Sequence, residues 1–172
     1  MAVRQFIILA VLSIILGLGA NLISPNKIDV IGNYRDISNG NGPVVPPTAE
    51  EGDPPFVDMA RASVEYASGS SIFIDAREEG EFECGTIPGS VNIPFEYMPD
   101  GDLTGYIDSC LSEAPTDRPL VVFCSGEECD LSLHLGRNLV ELGYNNVLIF
   151  FGGSREWETN GFEIERRVDC DN

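Results

Sequence analysis

The sequence contains few basic residues and a single histidine. Of its 172 residues, 10 are Lys or Arg and 28 are Asp or Glu, which gives a formal net charge of −18. Such a surface repels phosphate backbones, so we expect no nucleic-acid partner. With one histidine, His134, and no Cys-x-x-Cys pair, the chain lacks the usual spacing of zinc ligands. It also lacks a Gly-x-Gly-x-x-Gly pattern, and we predict neither a metal nor another cofactor.

The cysteines are few and unevenly spaced. They occupy positions 84, 110, 124, 129 and 170, a pattern unlike the dense, even framework of a small disulfide-rich domain. Because their number is odd, at least one cysteine has no partner within the chain. The pattern leaves open whether Cys84, Cys110 and Cys170 pair with one another.

Residues 1–24 differ in character from the rest of the chain. Residues 6–23 are predominantly apolar and uncharged, and at a rise of ~1.5 Å per residue this run is just long enough to cross a bilayer core. Arg4 precedes the run, which favours a cytoplasmic amino end. We predict an N-terminal hydrophobic helix that anchors the chain in a membrane, with a cleaved signal segment as the alternative. The folded part is then periplasmic or extracellular, and it is secreted if the segment is cleaved.

A change of composition separates this segment from a folded domain. Residues 25–55 are rich in Asn, Gly, Pro and acidic residues, which is typical of a linker. Hydrophobic residues make up 43% of the chain and charged residues 22%, which is enough apolar material to bury a core. We therefore predict one domain over residues 56–172.

Within this domain, short apolar runs alternate with helical patterns. The predicted strands cover residues 71–75, 91–93, 120–123 and 147–151, the predicted helices cover 57–67, 103–111, 130–142 and 154–159, and a final edge segment covers 162–165. Apolar runs of this length fit strands that are buried on both faces. Their alternation with helices predicts an α/β fold with a central parallel sheet flanked by helices.

Cys124 stands where a buried strand gives way to a helix. It directly follows the predicted strand at 120–123, and residues 124–129 separate that strand from the next helix. Ligands bind at this end of a parallel sheet, because backbone N–H groups and the helix dipole favour anions there. The same groups favour the thiolate, which is the reactive form of cysteine. Cys124 is therefore a candidate nucleophile, and the alternative is a small buried residue at a strand end.

Residues 56–166 contain a series of short motifs in a defined order and spacing. The first half contains Ile74-Asp75-Ala76-Arg77-Glu78, residues 82–85, and Ile87-Pro88-Gly89-Ser90-Val91-Asn92-Ile93-Pro94. The second half contains Pro119-Leu120-Val121-Val122-Phe123-Cys124, Leu142-Gly143-Tyr144, Gly152-Gly153, Trp157 and Gly161. In order and spacing these motifs resemble those of rhodanese-like sulfurtransferase domains, and together they make the resemblance far more specific than any one of them.

The resemblance implies an activity for the cysteine loop. Cys124 matches the family's cysteine, which takes sulfane sulfur from a donor such as thiosulfate, holds it as a persulfide and passes it to a thiol acceptor. The family's loop amides hold the terminal sulfur, and the matching residues here are Ser125, Gly126, Glu127, Glu128 and Cys129. Asp75 and Arg77 match a pair that we interpret as structural. The expected partners are a small sulfur donor, a thiol acceptor and, for a tethered domain, a membrane protein.

The loop departs from the family pattern in two respects. Many active members have basic residues in the loop, whereas this chain has Glu127 and Glu128. We therefore expect thiosulfate to be disfavoured and the two carboxylates to raise the pKa of Cys124. Cys129 ends the same loop, and it can form a disulfide with Cys124 if their Cα atoms approach within about 4.4–6.8 Å. The alternative is that Cys129 is merely a small residue at a helix start.

Three functions are consistent with these features. The first, which we favour, is a membrane-tethered sulfurtransferase that carries sulfur as a Cys124 persulfide. The second is a thiol–disulfide redox module in which Cys124 and Cys129 cycle. The third is a non-catalytic binding module that presents its acidic face to a basic partner. Dependence of function on Cys124 alone, on both cysteines or on neither distinguishes the three.

Overall fold

The computed structural model of the chain describes residues 5–6, 13, 19–20, 42–111 and 118–170. Apart from the isolated positions before residue 21, the predicted N-terminal helix at 1–24 lies outside these ranges, as does the predicted linker up to residue 41. Across the residues that are described, no helix is long and apolar enough to span a membrane. The N-terminal helix therefore remains a prediction. The residues described from 42 onward belong to one of the two compact units of the chain, Ile37–Asn172.

Four parallel strands form the central sheet. They are β1 Ile72–Asp75, β2 Val91–Asn92, β3 Leu120–Phe123 and β4 Val147–Phe150, in the order β2-β1-β3-β4. The register pairs Asp75 with Asn92 on one side and with Phe123 on the other. β1 and β3 are buried along their whole length, as expected for apolar strands in the middle of a parallel sheet. The predicted sheet is confirmed.

Helices connect the strands, because parallel pairing requires crossover connections. They are α1 Met59–Ser68, α2 Glu79–Cys84, α3 Leu103–Leu111, α4 Leu131–Glu141 and α5 Gly153–Thr159, with a 3₁₀ turn at Phe95–Tyr97. The Asp58 carboxylate caps α1 by accepting a hydrogen bond from the Arg61 amide, and the helix ends at Gly69. The four predicted helices agree with observed ones to within two residues at each end.

Apolar side chains pack on both faces of the sheet. The face that contacts α3 and α4 includes Ile72, Ile74, Ile107, Val122 and Leu135. The face that contacts α1 and α5 includes Ala62, Phe73, Val121, Phe123 and Trp157. Neighbouring residues of β1 and β3 thus contribute to opposite cores, as the alternation of side chains along a strand requires. Helices cover both faces, which confirms the predicted architecture.

Three short segments differ from the sequence prediction. The helix α2 is not predicted, because Phe82 is its one buried residue and it lacks the apolar repeat of a longer helix. The 3₁₀ turn Phe95–Tyr97 has no buried residue and gives no pattern either. The predicted edge segment at 162–165 is wrong as a strand of the sheet, since it forms only an isolated antiparallel bridge between Glu165 and Thr86.

Residues 42–55, which the composition assigns to the linker, contact the domain. Arg137 of α4 forms an ion pair with Asp53 at 2.6 Å and donates a hydrogen bond to the Thr48 carbonyl at 3.0 Å. Val44 packs against the core. These contacts hold this stretch against α4, and its composition alone does not reveal them.

A disulfide joins Cys84, at the end of α2, to Cys170 near the C-terminus. The two residues are 86 positions apart in the sequence, and a cross-link of this kind typically stabilises a domain by ~2–4 kcal/mol. Cys110, Cys124 and Cys129 carry free thiols. The pairing that the sequence leaves open is therefore Cys84 with Cys170.

Candidate active site

The loop after β3 places Cys124 at the carboxyl end of a central strand. The strand ends at Phe123 and α4 begins at Leu131, so Cys124 occupies the predicted junction. Within the loop, the Cys129 amide donates a hydrogen bond to the Gly126 carbonyl at 2.9 Å. This bond folds the end of the loop back toward its beginning.

The start of α5 fixes the loop from outside. Ser154 and Arg155 donate backbone hydrogen bonds to the carbonyls of Cys124 and Ser125, at 2.9 and 3.2 Å. Gly153 has a φ of +64°, and a Cβ at this position would lie 2.3 Å from the Cys124 carbonyl oxygen. Only glycine permits this conformation and this approach without strain. The glycine motif after β4 is thus part of the support for the cysteine loop.

The Cys124 thiol is enclosed by polar atoms of its own loop and of α4. The residue is 0% exposed, and its Sγ donates a hydrogen bond to the Cys129 carbonyl at 2.7 Å. The Ser132 hydroxyl and the Gly126 carbonyl lie at 3.5 and 3.9 Å from the same sulfur. The sequence predicts a ring of amides here, whereas carbonyl oxygens occupy part of that ring. The polar contacts of the sulfur are therefore with the loop and α4, and the residue itself is part of the buried core.

The two loop thiols differ in acidity. Burial raises the pKa of Cys124 above its ordinary range, and the hydrogen bond and charge of Cys129 raise it further. The pKa of Cys129 is lowered to about 6, chiefly by the hydrogen bond from Cys124 and, against the effect of burial, by hydrogen bonds from the backbone of Leu131 and Ser125. Cys129 is half-buried at the amino end of α4, where the helix dipole favours an anion. These opposite shifts favour ionisation of Cys129 before Cys124.

A cavity of about 540 Å³ opens beside the loop. Its lining includes Arg77, Glu81, Ser125, Arg155, Glu158 and Arg166. The cavity reaches the loop at Ser125, and Cys124 is not among its lining residues. A substrate in this cavity thus meets the loop one residue beyond the buried sulfur.

Two of the three cavity arginines are neutralised by carboxylates. Arg166 forms an ion pair with Glu158 at 2.5 Å, and Arg77 pairs with Asp75. Among the residues that the structure describes, no ion pair involves Arg155. Arg155 therefore gives the cavity a cationic group that is available to an anionic ligand.

Asp75 and Arg77, predicted as structural residues near the site, bind each other. The fully buried Asp75 carboxylate accepts hydrogen bonds from the Arg77 guanidinium at 2.9 and 2.5 Å and from the Thr86 hydroxyl at 2.8 Å. Burial alone would lower the pKa of Arg77, but the hydrogen bond and charge of Asp75 raise it above its usual value. The Ala76 amide donates to the Phe123 carbonyl at 2.9 Å. The pair thus lies beside the strand end that precedes the cysteine loop.

The two loop glutamates have different surroundings. Glu128 is exposed, whereas Glu127 is half-buried and its Oε1 is buried without a hydrogen-bond partner among the described residues. Burial, and then the charges of Glu127 and Asp58, raise the pKa of Glu156 on α5 to about 7. Neither loop glutamate is among the main causes that raise the pKa of Cys124. The predicted direction of that shift is confirmed, but its causes are burial and Cys129.

Three residues of this region lie outside the family motifs. Ser132 is fully buried next to the Cys124 sulfur, Arg155 lines the cavity, and Glu156 neighbours the loop through Glu127. The one sequence signal for Ser132 is that a small polar residue follows the loop in the first turn of a helix. Arg155 and Glu156 reach this region because α5 packs against the loop. The sequence around these two residues gives no signal of that packing.

A buried thiol in the loop between a central strand and a helix of a four-stranded parallel sheet places the chain among α/β domains that have a cysteine loop at the end of a central strand. The chain belongs to the rhodanese-like family, because the model for the rhodanese-like domain matches residues 59–160, which is more than half of the chain. The resemblance stated from the motifs is thus confirmed.

Two curated relatives share this domain but not the rest of their chains. An HTH-type transcriptional regulator of Mycobacterium tuberculosis is 28% identical over 98 residues, which are 57% of this chain and 39% of the relative. The adenylyltransferase and sulfurtransferase UBA4 of Meyerozyma guilliermondii is 28% identical over 99 residues, which are 56% of this chain and 22% of the relative. The chain therefore spans well under half the length of each.

Solved structures of distant sequence have the same fold. The BH2092 protein of Bacillus halodurans matches with a TM-score of 0.55 and 19% identity, over 67% of this chain and 82% of that one. A thiosulfate sulfurtransferase of Pseudomonas aeruginosa has the same TM-score and identity, over 67% of this chain and 21% of that one. EanB, solved with ergothioneine covalently linked to a cysteine persulfide, matches with a TM-score of 0.56 and 18% identity, over 66% of this chain and 28% of that one.

Proposed function

We propose that the chain is a sulfurtransferase that carries sulfane sulfur as a persulfide on Cys124. The observation that carries this proposal is the position of Cys124, which directly follows the central strand β3 in a loop held by amides of α5. The persulfide in the structure of EanB supports it by analogy of fold. The substrates we propose are a small sulfane-sulfur donor and a thiol acceptor.

The geometry supports a sequence of steps for sulfur loading. An anionic donor binds in the cavity beside Ser125, next to Arg155. The Cys124 thiol gives up its proton to solvent, which leaves the reactive thiolate. The Cys124 thiolate turns toward the donor and attacks its outer sulfur, whose bond to the rest of the donor breaks. With thiosulfate as the donor, the leaving group would be sulfite. The loop from Ser125 to Cys129 would enclose the terminal sulfur of the persulfide.

Transfer of sulfur to cyanide tests this proposal. We expect the full chain to form thiocyanate from thiosulfate or a thiosulfonate, and Cys124→Ser to abolish the reaction because the attacking sulfur is lost. Cys129→Ser retains the activity, as does the control Cys110→Ser, which replaces the free thiol on α3. Thiocyanate formation at the parent rate in Cys124→Ser would contradict the proposal.

We propose further that the domain lies outside the cytoplasm and is tethered through residues 1–24, with a membrane protein as its partner. The uncharged apolar run at 6–23 supports the tether. The disulfide between Cys84 and Cys170 supports the location, because structural disulfides form mainly in oxidising compartments. Protease treatment of spheroplasts, followed by carbonate extraction of the membranes, tests both points. Protection of the domain from the external protease, or release of an uncleaved chain by carbonate, would contradict them.

A second candidate function is thiol–disulfide exchange between Cys124 and Cys129. It is favoured by the hydrogen bond of the Cys124 thiol to the Cys129 carbonyl and by the opposite pKa shifts of the two thiols, which are typical of an attacking and a resolving cysteine. In such a module, either serine substitution abolishes function. Loading of sulfur onto Cys124 in the Cys129→Ser variant separates the candidates, since only a sulfurtransferase acquires it.

A further inference from the structure

Cys129 has no place in a simple persulfide cycle, yet it is the more accessible of the two loop thiols. Cys124 has no exposed surface, whereas Cys129 is half-buried. A cycle that only loads and unloads Cys124 needs no second sulfur in the loop. The contacts of Cys129 therefore require an explanation beyond sulfur loading.

The fold of the loop brings the two cysteines into contact. The Cys124 sulfur donates a hydrogen bond to the Cys129 carbonyl at 2.7 Å, so Cys124 contacts Cys129 directly. The hydrogen bond from the Cys129 amide to the Gly126 carbonyl, at 2.9 Å, holds the loop in this curled form. A nucleophile at Cys129 thus needs little movement to reach the Cys124 sulfur.

The surroundings of Cys129 favour its ionised form. The backbone of Leu131, at the first position of α4, and that of Ser125 hydrogen-bond to the Cys129 sulfur, and the Ser125 hydroxyl adds a further bond. The thiolate is the form of cysteine that attacks a sulfur–sulfur bond. When Cys124 carries a persulfide, such a bond lies next to this thiolate.

We propose that Cys129 resolves the Cys124 persulfide and releases its outer sulfur as hydrosulfide. This rests on the proposed function, which supplies the persulfide. With the persulfide in its protonated form, the Cys129 thiolate attacks the Cys124 Sγ. A bond forms between the two Sγ atoms, and the bond from the Cys124 Sγ to the terminal sulfur breaks.

The atoms and electrons of this step balance within the loop. The terminal sulfur leaves with the bonding electron pair and its proton as HS⁻, so it is reduced, and the two cysteines are oxidised to a disulfide. No external oxidant is needed. A dithiol reductant must then open the disulfide before the next cycle, and the half-buried Cys129 is the sulfur that such a reductant can reach. The domain therefore couples sulfur release to the redox state of a dithiol partner.

A single-turnover experiment with benzenethiosulfonate separates loading from resolution. This donor releases benzenesulfinate when its outer sulfur is transferred, so sulfinate counts loading and sulfide counts resolution. The full chain is used with Cys124 and Cys129 reduced and with free reductant removed. We expect about one equivalent of each product per chain, and a loss of two hydrogens from the peptide that contains both cysteines.

The Cys129→Ser variant is compared with Cys110→Ser, which replaces another free thiol. We expect Cys129→Ser to release sulfinate but less than about a tenth of the sulfide, and to retain one added sulfur on Cys124. The control variant behaves like the parent chain. A parent chain that keeps its added sulfur and releases no sulfide would overturn the proposal, as would undiminished sulfide release from Cys129→Ser. If Cys129→Ser releases no sulfinate, loading itself has failed and the proposed function falls as well.

Discussion

At the scale of single residues, the two loop thiols differ: Cys124 is fully buried, whereas Cys129 is the more readily ionised. Cys129 has a pKa of about 6 because Cys124 and the backbone at the start of α4 hydrogen-bond to its sulfur. We therefore predict that iodoacetamide labels Cys129 before Cys124, with a rate that rises through about pH 6. Mass spectrometry with peptide fragmentation locates the label. In Cys124→Ala the thiol donor is removed, and we expect the midpoint to move toward higher pH. Labelling of Cys124 first would contradict this division.

A second residue-scale effect concerns Glu156, which is 7% exposed. Burial and the charges of Glu127 and Asp58 raise its pKa from 4.5 to about 7. The folded protein therefore holds this proton more tightly than the unfolded chain, so stability is full below about pH 4.5 and falls as the pH rises toward 7. We predict that Glu156→Gln stabilises the domain at pH 8 by roughly 1–3 kcal/mol and has little effect near pH 4.5.

Urea unfolding at the two pH values measures the Glu156→Gln effect. Glu163→Gln, which removes an exposed carboxylate, is the matched control and is expected to change stability little at either pH. An equal gain for Glu156→Gln at both pH values would show that removal of a buried ionisable group is not the cause.

At the scale of elements, the turn from β4 into α5 supports the cysteine loop. Gly153 and Gly161 both have positive φ, of +64° and +81°, but only at Gly153 would a Cβ meet another part of the backbone, the Cys124 carbonyl among it. We predict that Gly153→Ala lowers sulfur transfer at least about 10-fold, because a misplacement of ~1 Å in the loop can have such an effect. Gly161→Ala retains the activity, since it faces open space. Thiocyanate assays of the two variants, with their melting temperatures, test this, and equal effects would count against the contact.

The same scale shows what could be predicted from the sequence. The three longer strands are predictable because each consists mainly of apolar residues, and Cys124 is identified because it follows β3 directly. The helix α2 is not predictable, because Phe82 is its only buried residue. The contact of Thr86 with Asp75, and that of Ser154 with Cys124, join residues from different elements. Such contacts depend on packing, which periodicity along one segment does not record.

At the scale of the whole molecule, the net charge is negative, whereas the cavity beside the cysteine loop contains an arginine available to an anion. A net charge of −18 repels an anionic donor at long range. Locally, the cavity contains Arg155, for which the described part of the chain provides no ion pair. The loop glutamates do not line this cavity, since Glu128 is exposed elsewhere and Glu127 lies near Glu156. We therefore infer that donor selection depends more on Arg155 than on the loop glutamates.

Replacement of Arg155 tests this inference. We predict that Arg155→Gln raises the KM for thiosulfate about 10-fold, which corresponds to the loss of one charge-assisted hydrogen bond. Arg155→Lys recovers part of the loss, and an uncharged dialkyl trisulfide is used equally well by all variants because it has no anionic group. Arg61→Gln, on the exposed side of α1, serves as a control that also removes one positive charge. If Arg61→Gln raises the KM as much as Arg155→Gln does, the long-range field of the acidic surface, and not the cavity arginine, governs donor binding.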